Sequence, residues 1–115
     1  MTSILQVRFY RSASGVEPVR KWLADMGRPN KSIIGMDIKT VQIGWPLGMP
    51  LVRKLEPGLW EVRSSIPDGI ARVLFTIDGG QMVLLHGFIK KSDKTPKHDL
   101  KVAKTRKREV LNDET

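Results

Sequence analysis

Between residues 61 and 98 the chain carries groups suited to one kind of chemistry, the holding of phosphate. Glu61 and Arg63 stand two apart in LWEVR, Arg72 lies in ARVLF, and LLHGFIKK brings His86, Lys90 and Lys91. Residues two apart on a strand share a face, so Glu61 and Arg63 project together. In the next strand Ala71, Val73, Phe75 and Ile77 form the apolar set, leaving Arg72 on the other side. On the last strand Val83, Leu85 and Ile89 read as inward, and His86, Phe88 and Lys90 as outward. One solvent-facing sheet surface is therefore expected to carry guanidinium, ammonium and imidazole groups. A planar guanidinium matches phosphate with paired donors. The plainer reading stands beside it: charges on an open sheet surface are ordinary. Glu61 and Arg63 equally make an ion pair, and His86 equally reads as a half-buried imidazole bonded to backbone.

The charge distribution favours polyanions. Lys90 to Arg108 hold nine lysines and arginines against two acids, Asp93 and Asp99, and so nearly all of the net charge of +8. Such a field attracts nucleic acid, anionic membrane or an acidic protein. Other chemistries lack parts. The absence of cysteine removes thiolate catalysis, zinc–sulfur sites and disulfides and fits a reducing compartment. There is no glycine-rich phosphate loop, nucleophile elbow or paired-histidine metal spacing, since His86 and His98 lie on different elements. The three tryptophans do not alternate with basic residues as a base-stacking platform would. No metal or cofactor is expected.

These groups need a scaffold of one domain, 1–115. At 115 residues and 40% hydrophobic content the chain suits a single modest core. ILQVRFY predicts a first strand over Ile4 to Tyr10. Pro18 opens a helix in which Val19, Trp22, Leu23 and Met26 recur at helical spacing and Gly27 ends the run. Asn30 is the expected cap of a second helix to about Gly44, with Ile34, Ile38 and Val41 inward. GWPLGMP is a loop, and the period then switches to alternation: LVRKLE, LWEVRSS, GIARVLFTID and QMVLLHGFIKK, the last two joined by the hairpin signal DGG. Pro96 opens a basic C-terminal helix. The result is an α+β fold with helices on one face of a twisted, mainly antiparallel sheet of about four to five strands. No window spans a membrane, and MTSILQVRFYRS lacks the order of a secretory signal. A cytoplasmic protein is expected.

RFYRSASGVEPVRKWL, GWPLGMPLVRKLEPGLWEVRSS, ARVLFTID and VLLHGFIKKSDKTPKHDLKVAKTRKRE, in this order, resemble the phage-derived Gp49-like branch of the HigB group, within the RelE/ParE superfamily of toxin–antitoxin toxins. The resemblance covers nearly the whole chain. It implies a RelE-like fold and a ribosome-dependent endoribonuclease that cleaves messenger without a metal, through attack of the ribose 2′-hydroxyl on its own phosphate. It also implies a HigA-type helix-turn-helix antitoxin as partner, with messenger and ribosomal RNA as the other contacts, operator DNA reached only through the antitoxin, and no membrane. On this reading Arg63 and Arg72 hold the phosphorane, Lys91 and Lys94 lead as catalytic acid and base candidates ahead of His98, and either His98 or His86 would need less tuning of its pKa for that role. A lysine desolvated among cations can handle protons near neutral pH. Lys54, Lys90, Lys97, Lys101, Lys104, Arg106, Lys107 and Arg108 would grip RNA and ribosome. The sequence departs from the RelE pattern at two places: Glu61 reverses a charge, and no tyrosine stands near the C-terminus, the only one being Tyr10. The same scaffold also serves ParE-like gyrase inhibitors, so gyrase inhibition, or non-catalytic nucleic-acid binding by a basic phage-derived protein, are the alternatives.

Overall fold

Each change of period in the sequence becomes an element boundary. The computed structural model describes residues 4–112. Its elements are β1 (Gln6–Phe9), α1 (Pro18–Ala24), α2 (Asn30–Gly44), β2 (Val52–Glu56), β3 (Leu59–Ile66), β4 (Gly69–Asp78), β5 (Gln81–Lys90) and α3 (Lys97–Asn112). The strands form one open sheet in the order β1-β5-β4-β3-β2. β2 to β5 are an antiparallel meander, and β1 joins β5 in parallel. This α+β architecture with a mixed sheet is consistent with a RelE-like fold.

Local chemistry accounts for the ends. Pro18 occupies the start of α1, where its missing N–H costs nothing and its φ is already helical. β4 and β5 are joined by Gly79 and Gly80, with Gly79 at φ +61°, the positive value a type II′ turn needs at its first central residue. Asn30 is not the cap of α2 but its first residue; its side-chain amide donates to Asp68 at 2.8 Å, in the β3–β4 turn.

The sheet is covered on both faces, not one. Val19 of α1 and Ile34, Ile38 and Val41 of α2 pack on Val62, Ala71, Val73, Phe75, Met82 and Leu84. The opposite face carries Tyr10, Leu59, Leu74, Val83 and Leu85 against Ala103 and Val110 of α3. Each such aliphatic burial is worth about 1.5–3 kcal/mol. The apolar stripe of α3 is narrow, one residue per turn amid lysines, yet it suffices because the sheet beneath it is apolar.

A bulge explains the last strand. Leu74 pairs with His86 and Phe75 with Leu84, so Leu85 is the extra residue. Val83 and Leu85 are buried, as expected, but under α3, whereas Ile89 packs with α1 and α2. The alternation read from the sequence slips by one at Leu85, which puts His86 and Phe88 on the same face as Val83. Arg106 donates to the Leu85 carbonyl at 2.8 Å, satisfying the group the bulge releases.

β5 also meets α1 closely. A Cβ built on Gly87 would lie 2.5 Å from Cε3 of Trp22, nearer than real contacts allow. Gly87→Ala should therefore lift α1 and destabilise the fold by about 1–3 kcal/mol. The measurement is a urea melt, in which the midpoint falls while the slope stays that of the wild type.

Candidate functional site

The α3 side of the sheet carries a polar row beyond the apolar core. Arg53 stands across from Glu61, Arg63 across from Arg72, and Arg72 across from Phe88. Like charges directly opposed on a sheet repel, and compensation comes from two places. Glu61, wholly buried, accepts from Arg63 at 3.1 Å and from Thr95 Oγ1 at 2.9 Å. The segment 91–96, KSDKTP, then folds over the row: Arg63 pairs with the Asp93 carboxylate at 3.2 Å, Arg53 donates to the Asp93 carbonyl at 3.1 Å, and Arg72 donates to the Ser92 carbonyl. The surface expected to face solvent is thus roofed by a strap of its own chain.

Arg72 is the unusual member. Its relative exposure is 0%, and its Nε and Nη1 have no hydrogen-bond partner among the described residues. Burial pushes its pKa below the ordinary value, Glu61 opposes that shift, and Arg63 adds to it. A guanidinium nevertheless keeps its proton in a protein. The fold therefore holds a buried cation with two unbonded donors next to Arg63, whose side chain is 11% exposed. Oxygens already occupy the other guanidinium positions: a carboxylate on Arg63 and a carbonyl on Arg72. A phosphate would present the same kind of acceptor. Asp93 is 86% exposed, so its clasp on Arg63 is a surface ion pair worth about 0–1 kcal/mol. The strap is fastened lightly over Arg63 and more firmly over Arg72.

Of the expected acid and base groups, Lys91, Lys94 and His98 do not meet the arginine row as their role required, and His86 does share its face. Lys91 and Lys94 are exposed on the strap, so the desolvation their proposed role required is absent. His98 is exposed and faces a separate cleft with Tyr10, Lys101 and Arg106. His86 is the histidine on the arginine face, half-buried and bonded not to backbone but to the Asp99 carboxylate at 2.6 Å. A carboxylate only accepts, so Nε2 donates and Nδ1 is left able to take a proton. The Phe88 ring stands between, 5.8 Å from the imidazole and 5.9 Å from the Arg72 guanidinium. His86 and Asp99 are thirteen residues apart on different elements, a pairing no local spacing reveals.

The basic run divides by the partners its members meet. Arg106 is held by the Leu85 carbonyl and the Tyr10 ring, and Tyr10 in turn donates to Glu109. Lys104 and Lys107 reach Glu56 at 3.3 and 3.1 Å, and Lys107 also donates to the Pro57 carbonyl. These three residues fasten α3 to the sheet. Lys97, Lys101 and Arg108 are exposed and have no carboxylate partner among the described residues, as is true of Lys90, Lys91 and Lys94. Lys54 is also exposed, but on β2 it points away from Arg53 and Leu55, to the α2 side of the sheet. It is not part of the arginine face. Among the described residues no cluster suits a metal ion, and no helix is long and apolar enough to cross a membrane.

Two outcomes follow. Partial burial raises the Glu56 pKa, but Lys107 and Lys104 outweigh it and hold the carboxyl below its usual value. A depressed folded pKa stabilises above the unfolded pKa and is lost as pH falls through the folded one. Lys107→Met should cost roughly 1 kcal/mol at pH 7, and urea melts should show the gap from wild type narrowing as pH falls through that depressed pKa. Arg72→Met should instead raise stability by roughly 1–2 kcal/mol, because an apolar side chain replaces an incompletely bonded buried charge. A thermal melt that drops would show that the bonds and field of Arg72, to the Ser92 carbonyl and to Glu61, stabilise the fold on balance.

The buried guanidinium, its cross-strand partner and the strap all lie within the span matched by a family model. The model is that of phage-derived protein Gp49-like, and it matches residues 21–108, from α1 through most of α3. No curated protein matches the chain. The chain therefore belongs to the phage-derived Gp49-like family, which is related to the toxins of toxin–antitoxin systems.

Proposed function

We propose that this chain is an RNA-cleaving toxin, acting on messenger in the ribosome and held inactive by a HigA-type antitoxin. The observation that carries the reading is Arg72: a fully buried guanidinium with two unbonded donors, beside a second guanidinium. Incompletely bonded buried cations reduce stability, and such groups concentrate where charge must be stabilised during a reaction.

The chemistry is the transfer of a phosphodiester to the neighbouring 2′-oxygen. The 2′-hydroxyl loses its proton and attacks phosphorus, a pentacoordinate phosphorane forms, and the bond to the 5′-oxygen breaks. The products are a 2′,3′-cyclic phosphate and a 5′-hydroxyl. Arg63 and Arg72 hold the phosphorane oxygens once the strap oxygens at Ser92 and Asp93 withdraw. His86, oriented by Asp99, receives the 2′-proton at Nδ1, and the departing 5′-oxygen takes its proton from water, so that the products are neutral at the 5′-hydroxyl and the imidazolium later returns its proton to solvent. Lys91 and Lys94 move with the strap and pair with flanking phosphates. The exposed Lys97, Lys101 and Arg108 share one stripe of α3 and grip ribosomal RNA, a contact that weakens steeply with salt. Operator DNA is reached only through the antitoxin.

The test is primer extension on a defined messenger in a reconstituted translation reaction, with and without ribosomes. Wild type is expected to cut only with ribosomes. Arg72→Met, shown folded by its melt, loses cutting by about 10²-fold or more. Asp93→Asn loosens the strap and cuts faster by several-fold; loss of cutting in that variant would make Asp93 part of the chemistry and remove the strap from it. An intact messenger, with a DNA-damage response in cells making the protein, would transfer the reading to gyrase. Intact messenger without that response would leave nucleic-acid binding alone.

A further inference from the structure

Next to the arginine row, and outside it, lies a cleft of 470 Å³ between α2, the loop after it and the ends of β3 and β4. Ile33, Met49, Pro50 and Ile70 supply apolar walls, Arg63 forms one side, and Asp37 places a carboxylate in it. The cleft has room for a flat aromatic base, and its walls suit stacking, which every base tolerates. The carboxylate is what selects.

Asp37 is an exception among the acids. Glu17, Glu56, Glu61, Asp78, Asp93 and Asp99 each face a cationic or imidazole group. Asp68 accepts from Asn30, and Glu109 accepts from Tyr10. Among the described carboxylates Asp25 and Asp37 have no hydrogen bond or ion pair; Asp25 is exposed, whereas Asp37 is half-buried in the cleft. In a chain of net charge +8, a half-buried carboxylate without a cation is placed to receive donors from outside. It also repels phosphate, so the cleft is not an extension of the arginine seat.

We propose that this cleft takes a guanine base of the RNA, with Asp37 accepting from N1–H and the N2 amino group. Those two donors are adjacent and parallel, and they match the two oxygens of one carboxylate. Adenine and cytosine offer an amino donor beside a ring-nitrogen lone pair, which repels the second oxygen. Uracil flanks its single N–H with carbonyls. A site built on hydrogen bonds rejects a base that lacks the donors more strongly than apolar walls alone can. The inference rests on the reading that Arg63 carries the phosphate, since Arg63 borders both the seat and the cleft.

The experiment is titration of the purified protein with 5′-GMP, 5′-IMP and 5′-AMP, followed by the methyl resonances of Met49, Ile33 and Ile70. GMP is expected to shift these methyls and to bind about tenfold more tightly than AMP, with IMP, which lacks the N2 amino group, between them. The isosteric Asp37→Asn variant should bind GMP about tenfold more weakly and lose the preference. Equal affinities for GMP and AMP, a preference surviving in Asp37→Asn, shifts confined to α3, or no shift at millimolar nucleotide would each overturn the proposal. The readout needs neither ribosomes nor cutting. A guanine preference lost in Asp37→Asn, with no messenger cleavage, therefore overturns the nuclease reading alone. Cleavage with no base preference at Asp37 overturns the guanine site alone.

Discussion

A guanidinium buried from solvent is the constraint to which the α3 side of the sheet answers. Arg72 cannot shed its charge, so the protein must bring acceptors to it. Glu61 is buried on the neighbouring strand and shares its field with both Arg63 and Arg72. Thr95 fixes the second oxygen of Glu61 and so ties the strap to β3. The Ser92 carbonyl reaches Arg72 only because the strap turns back across the sheet before α3 begins. Removing any one acceptor leaves a buried charge less compensated, the costly direction for such a network. The row, the strap and the start of α3 therefore form one electrostatic unit.

Most of the scaffold was legible because period speaks directly. The change from helical spacing in α2 to alternation from Val52 onward marks the sheet, and Pro18 and the Gly79–Gly80 turn mark ends by their allowed backbone angles. Legibility failed where tertiary contacts overrule local pattern. Leu85 breaks the alternation, and its compensating donor, Arg106, lies 21 residues away. Asn30 has the chemistry of a cap but is drawn to Asp68. The side of the sheet taken by α3 is not encoded in its sparse apolar stripe, because Ala103 and Val110 would suit either face.

The site was half legible for the same reason. Arg63 and Arg72 on one face follow from strand geometry alone, and the structure places them directly opposite each other. Their covering does not follow, since Ser92, Asp93 and Thr95 read as ordinary loop residues. His98 drew attention as the histidine in the basic run, yet it faces the Tyr10 cleft while its neighbour Asp99 turns to His86. Consecutive helical residues point in different directions, and one step of phase separates a surface group from a paired one. Partners, not phase, sort the basic run: Lys104, Arg106 and Lys107 are engaged with the sheet, and Lys97, Lys101 and Arg108, on the same stripe as Lys104, are not. All of them add to the long-range field, but the second set is free to touch a ligand without unfastening α3.

The parallel pairing of β1 with β5 bears on when the molecule becomes whole. β1 lies at the sheet edge and among the described strands pairs with β5 alone, so it waits until β5 exists to pair. β2 to β5, by contrast, can zip as successive hairpins. Closing so long a loop is slow compared with hairpin formation, and during synthesis β1 stays unpaired until β5 has left the ribosome. The strap and α3 come later still. A protein assembled in this order acquires its arginine seat only after all five strands and the strap have been made.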